Sequence, residues 1–303
     1  MSPAVTGVAP ARFLLSLDQL HVLEAQAGIA VPAEFHTEWG DSASAEERDA
    51  REANALNGLE VMGFLSPSTG RGAGSIPDRV NPAVRAYLGL FADPALEISV
   101  RSWGDGRSYV QSAVVLSGYA TSLIRTQRLD DRGQNPRNED SVELSAFTFS
   151  ELIDEVLRSL REIDSARPAA AVTKGSIELP ITELQGLINA IRSDRPGVVE
   201  GALREADLGA VSLPIARAAS FGIDAGFTLF ARSQATGDHF SSHWFRADSG
   251  WFELALSTPP LDSVSSSIEF VDRSRVRLST RGSEAIIASI ITAIGTLGGA
   301  LHG

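Results

Sequence analysis

Residues 96–127 read LEISVRSWGDGRSYVQSAVVLSGYATSLIRTQ, and their period decides the fold. Apolar and polar residues alternate in twos, with breaks at Gly104-Asp105-Gly106 and at Ser117-Gly118-Tyr119. Alternation of this kind sends successive side chains to opposite faces of a strand, and Asp-Gly is a favoured two-residue hairpin turn. The stretch predicts three antiparallel strands in a meander. A second stretch, 222–256, GIDAGFTLFARSQATGDHFSSHWFRADSGWFELAL, is built the same way, with breaks at Thr236-Gly237-Asp238 and Asp248-Ser249-Gly250.

The two stretches also share residues in order. Arg101-Ser102 matches Arg232-Ser233, Gly104-Asp105 matches Gly237-Asp238, and Gly118-Tyr119 matches Gly250-Trp251. Further on, Val142-Glu143-Leu144-Ser145 matches Val276-Arg277-Leu278-Ser279, and Ser150-Glu151 matches Ser283-Glu284. These matches keep a separation of about 131 to 134 residues, whereas LSLDQLHVL (15–23) and LPITELQGL (179–187) lie about 164 apart. The expected architecture is a mixed helix and strand fold with a pseudo-twofold repeat, halves 1–168 and 169–303 forming one compact domain. The longer first half then holds an insertion at about 37–75. A period this long does not make a solenoid.

Helices are predicted from Asp18 to about Gly28, from Ser44 through Met62, over 81–91, over 150–163 with Ser150 as cap, over PGVVEGALREADL (196–208) and over the C-terminal run. Asp18 and Thr182 are the capping candidates of the two opening units. Residues 66–77, SPSTGRGAGSIP, read as a loop, as do 129–140. The run SVELSAF (141–147) reads as a fourth strand.

With 303 residues, 43% of them hydrophobic and 21% charged, the chain can bury a large core. Its formal charge of -12 argues against nucleic acid, whose affinity comes from clustered Lys and Arg. The absence of Cys excludes disulfides and thiolate catalysis and points to a reducing cytoplasm. Residues 1–12 lack the basic start and apolar core of a signal peptide. The apolar run 285–301 has GxxxG spacing at Gly295 and Gly299, but it is short for a span and lacks basic anchors. It is expected to pack in the core or in a partner groove, with no membrane insertion.

Catalytic signatures are missing from the pattern. His239 and His243 lie four apart in a strand, about 13 Å, too far for one metal ion. GRGAGS (70–75) lacks the Lys of a Walker loop, and no GxSxG elbow occurs. Neither a cofactor nor a metal is expected. Trp103, Trp244 and Trp251 fall in or beside the meanders, where they either cover the sheet or anchor a partner.

The order of units, together with LSLDQLHVLEAQAG near the start, the VNPAVRAYLGLF to LIRTQ block and SGWFELALS before the last helix, resembles the EspG family of type VII (ESX) secretion chaperones. The resemblance implies a cytosolic, non-enzymatic chaperone with a central antiparallel sheet flanked by helical bundles. It also implies binding of a PE-PPE heterodimer through the PPE protein, by a sheet hairpin and the C-terminal helical region. Carried onto this chain, those regions point to Trp103, Asp105 and Arg107 in the hairpin and to Ser283 and Glu284 at the last helix. Two other readings stand beside it: an enzyme with a cleft between the halves, and an oligomerising module built on the last helix. A monomer or weak homodimer is expected.

Overall fold

The computed structural model describes residues 10–36, 44–67, 74–129, 136–164, 175–192, 195–206, 208, 215–216, 223–247 and 250–298. The chain opens with strand β1 (Ala11–Ser16) and helices α1 (Leu17–Ala25), α2 (Ala45–Val61), α3 (Ile76–Arg79) and α4 (Pro82–Gly89). Strands β2 (Leu96–Gly104), β3 (Arg107–Leu116), β4 (Tyr119–Leu129) and β5 (Pro136–Thr148) then lead into α5 (Leu152–Asp164). A second series follows: β6 (Ser176–Pro180), α6 (Ile181–Arg192), α7 (Pro196–Glu205), β7 (Ala225–Ser233), β8 (His239–Ala247) and β9 (Gly250–Ser257). It closes with α8 (Ser267–Arg273), β10 (Arg275–Arg281) and α9 (Ser283–Gly298).

These ten strands form one sheet in the order β1-β5-β4-β3-β2-β7-β8-β9-β10-β6. Every neighbouring pair is antiparallel. Read outward from the central β2–β7 pair, each side runs through its meander and then its fourth strand, and ends on its opening strand. The registers agree with the sequence offsets. Leu116 pairs with Tyr119 and Ala247 with Gly250, each partner 131 residues on. Leu123 pairs with Leu144 as Leu254 pairs with Leu278, and Leu15 with Val142 as Leu179 with Val276.

Alternation along the strands builds a core on each face. On one face Leu96, Ile98, Val100, Phe227 and Leu229 are buried beneath α5 and α9. On the other, Leu15, Leu123, Val142 and Leu144 pack with Leu20, Leu23, Leu59 and Leu88 of α1, α2 and α4. At the far side of that second face, Leu179, Phe252, Val276 and Leu278 pack with Leu187, Val199 and Leu203 of α6 and α7.

Several boundaries differ from the expectation. The cap of α1 is Ser16, which forms a reciprocal capping box with Gln19; Asp18 sits in the first turn, where its charge favours the positive helix end. Thr182 likewise lies inside the first turn of α6, which starts at Ile181. Thr148, not Ser150, caps the turn into α5, because its side chain can pair with Glu151. Residues 136–140 belong to β5, held by backbone pairing with β4 that needs no apolar side chains. Ser44 caps α2, as the pattern predicts, whereas Asn81, read as the first residue of its helix, is the cap of α4. Parts of the 66–77 loop and the 168/169 boundary lie outside the described residues.

Gly104 ends β2 where the C-terminal end of α5 crosses the sheet. A Cβ there would sit 2.8 Å from Ile163 Cγ2 and 3.0 Å from the Ala225 methyl. Gly104→Ala is expected to cost about 1–3 kcal/mol through overpacking, read as a lower urea midpoint at unchanged m-value. An unchanged midpoint would mean that the helix end yields freely.

Candidate partner-binding surfaces

The hairpin between β2 and β3 closes in two residues, with Gly104 paired to Arg107. Asp105 (φ 50°) and Gly106 (φ 72°) both take the left-handed region that a type I′ turn requires. Asp and Gly are residues that tolerate it, so the sequence encodes a tight tip rather than a long loop. Asp105 and Arg107 are exposed. Trp103 is 38% exposed and its ring sits against Gly226, where an added Cβ would come to 3.0 Å of the indole. The glycine opposite gives the ring its seat.

Ser283 and Glu284 are exposed at the start of α9. They share one end of the sheet with the hairpin, along the row Gly104, Ala225, Arg246, Trp251 and Arg281. Four strand spacings separate the two clusters, about 19 Å. The five residues named from the sequence therefore form two separate clusters at one end of the sheet, not one pocket.

The outer face of α9 adds a feature between them. Its buried residues Ile286, Ile290, Ile294 and Leu297 stand 134 positions after Leu152, Val156, Leu160 and Ile163 of α5. At the same offset, Asp154, Glu155, Arg158 and Arg161 of α5 are matched by Ala288, Ser289, Thr292 and Gly295 of α9. The outer face of α5 carries the Arg161–Asp154 ion pair (2.7 Å), whereas α9 shows Ile287 and Ile291, 43% and 49% exposed, among small residues. A strip without charges lets another helix approach closely. Trp244 and Trp251, in contrast, are buried around Phe227, so they cover the sheet.

A polar cluster that no local motif announced lies between α5 and the outer strands of the first half. Glu155, whose side chain is 1% exposed, accepts from Arg12 Nη2 at 3.0 Å, Ser122 Oγ at 3.1 Å and Arg158 Nη2 at 2.9 Å. Arg158 also pairs with Glu143. Burial pushes the Glu155 carboxyl up, but Arg12 and Arg158 more than offset it and hold the group below the usual carboxylate range. Beside the cluster is a cavity of about 230 Å³ lined by Leu14, Tyr109, Ile124, Glu139, Glu143 and Arg158. Glu139 faces Arg128 at 3.3 Å. Each of these carboxylates is thus paired with a guanidinium. The arrangement fastens α5 to the sheet; general acid–base work would need a carboxyl or imidazole tuned toward neutral pH.

His239 and His243 stand on one face of β8 and engage different neighbours: His239 stacks on Phe230 at 6.3 Å, and His243 Nδ1 shares a 3.2 Å hydrogen bond with Thr228 Oγ1. Among the described residues no group of three His, Asp or Glu side chains is placed to hold a metal ion. No described helix is long and apolar enough to cross a membrane.

A ten-stranded antiparallel sheet, with α5 and α9 on one face and separate helical groups toward both ends of the other, defines the class. Within it the chain is similar to the Mycobacterium tuberculosis type VII secretion system chaperone EspG5, solved in complex with a PE25-PPE41 dimer. The TM-score is 0.61 at 12% identity, over 94% of this chain and 96% of that one. No family model and no curated protein matches the sequence. At this identity the likeness is one of fold, and it is the fold of the EspG chaperones.

Proposed function

We propose that this chain is a non-enzymatic, cytoplasmic chaperone of type VII secretion that binds a PE-PPE heterodimer through its PPE protein, keeps it soluble and directs it to the secretion machine. The observation that carries this reading is the near end-to-end likeness to EspG5, which was solved with a dimer of that kind. The exposed hairpin tip and the uncharged face of α9 support it, since both present contact surface at one end of the molecule. We further infer that the halves 1–168 and 169–303 derive from one duplicated unit, a reading supported by the matched registers.

Binding is expected to be releasable, so a few anchors should carry it. Coexpression with PE-PPE pairs of the same genome should give a complex that survives size exclusion. Trp103→Ala and Ile291→Asp should each weaken it by about 1–3 kcal/mol in calorimetric titration. Failure of every such pair to bind the wild-type chain would remove the reading.

The strip on α9 is small. A helix of 16 residues is about 24 Å long, and the area it can bury alone falls well short of the roughly 800 Å² per partner of a stable interface. This supports a monomer or weak homodimer in the absence of client.

A further inference from the structure

The two halves close differently over the sheet face that carries α5 and α9. There α5 packs on β2 and β3, and α9 on β7 and β8, so β4, β5 and β1 lie beyond the one helix and β9, β10 and β6 beyond the other. Corresponding rows of side chains cross these outer strands: Ile124, Glu143 and Leu14 in the first half, Ala255, Arg277 and Glu178 in the second. The first row is neutralised from within, because α5 reaches over it with Glu155 and Arg158, and Arg158 pairs with Glu143. At the matching places α9 carries Ser289 and Thr292. The sheet charge is reversed, and the helix brings no countercharge.

Arg277 is exposed and makes no hydrogen bond or ion pair among the described residues. Its neighbours on the same face of β10, Arg275 and Arg281, stand about 7 Å and 13 Å along the strand and are engaged by Glu178 and Glu253, each at 3.0 Å. Three arginines against two acids leave this floor with an excess of positive charge in a chain of formal charge -12. Short side chains keep the approach to it open. Ala255 stands where the first half has Ile124, and Ser289 where it has Glu155. Gln111 donates to the α5 backbone at Glu155 O (3.0 Å), whereas Ser242, 131 positions on, has a buried hydroxyl with no hydrogen-bond partner among the described residues. From β9 to β6 the floor spans two strand spacings, about 10 Å, which is close to the 10–12 Å width of a helix with its side chains.

We propose that Arg277 anchors a docking site for an acidic polypeptide segment, which lies beside α9 over β10 and β6 and supplies the carboxylate that Glu155 supplies in the first half. The first half shows what this place in the fold holds when it is filled: a carboxylate between the guanidiniums of Arg12 and Arg158. The planar fork of an arginine suits a carboxylate from outside equally well. A nucleic-acid backbone needs more cations than this floor provides. The site does not depend on the chaperone reading, and its probe is not the client.

That probe is fluorescein-labelled poly-L-glutamate, titrated by anisotropy at low ionic strength into the full chain and into Arg277→Ala and Ser289→Glu. Ser289→Glu rebuilds the first-half arrangement, so its new carboxylate should occupy Arg277 from within. Arg204→Ala on the exposed side of α7 serves as control. The expected result is at least tenfold weaker binding for both Arg277→Ala and Ser289→Glu, with Arg204→Ala within threefold of wild type. Ser289→Glu should also raise the urea midpoint, a gain that the double variant with Arg277→Ala loses; this second measurement shows that the variant folds. Wild-type affinity in Arg277→Ala or in Ser289→Glu overturns the site, as does a wild-type chain that does not bind poly-L-glutamate. A single-stranded oligonucleotide whose binding Arg277→Ala abolishes would assign the floor to nucleic acid. A change in the sedimentation coefficient of the protein alone on Arg277→Ala would assign it to self-association. Either of these outcomes also overturns the proposal, and all of them leave the chaperone reading in place.

Discussion

Glu155→Ala should destabilise the protein by about 1–3 kcal/mol, because it removes a buried acceptor that three donors share. The lost carboxylate is the common partner of Arg12 and Arg158, and it also receives the Ser122 hydroxyl. Both arginines retain Glu143, with Arg158 26% and Arg12 43% exposed, which keeps the loss below that of a fully buried broken pair. Chemical denaturation checks the size of the effect. A change under 1 kcal/mol would mean that water reaches Arg158 and Arg12 once the acid is gone.

The same group sets a pH dependence. Its carboxyl is held lower in the folded protein than in the unfolded chain, so folding favours the ionised form. The contribution is fully present above the unfolded value of 4.5 and is lost as pH falls through the lower folded value. Wild type should therefore lose stability on acidification below about pH 4.5 more steeply than Glu155→Gln. Parallel pH profiles for the two proteins would show that the cluster does not govern acid sensitivity.

Phe227→Ala is the second large effect, at about 3–5 kcal/mol. The ring stacks on Trp244 at 5.9 Å with planes 7° apart, and meets Trp251 edge-on at 5.7 Å. It is 3% exposed in the core beneath α5 and α9. The near-ultraviolet circular dichroism signal of the tryptophans should fall with the stability. Retention of both would place the packing energy elsewhere in the core.

The two meanders were legible because a period of two and an Asp-Gly turn are local signals. The offsets between matched residues even anticipate the strand registers, since antiparallel pairs at equivalent places must be separated alike. Other features depend on distant partners. Arg12 and Glu155 are 143 positions apart, so nothing around either one announces the cluster. Trp103, Trp244 and Trp251 look alike in sequence; Gly226 leaves the first ring on the surface, whereas the second and third turn inward around Phe227. The seven-residue α8 is too short to show a helical period. The turn that makes the hairpin tip and the start of the last helix were readable locally, but the 19 Å between the candidate residues they carry was not. That distance follows from strand order, which no short window contains.

The central β2–β7 pair imposes a schedule on synthesis. After the ribosome has finished β2, that strand gains β3 on one side but has nothing on the other until β7 emerges, roughly 120 residues after β2. At about 5–20 residues per second, the delay is of the order of 6 to 24 s. Throughout it, nine residues of bare strand could capture a neighbouring nascent chain. Glu97 and Arg101 place charges along that waiting edge, and charges of this kind discourage premature pairing.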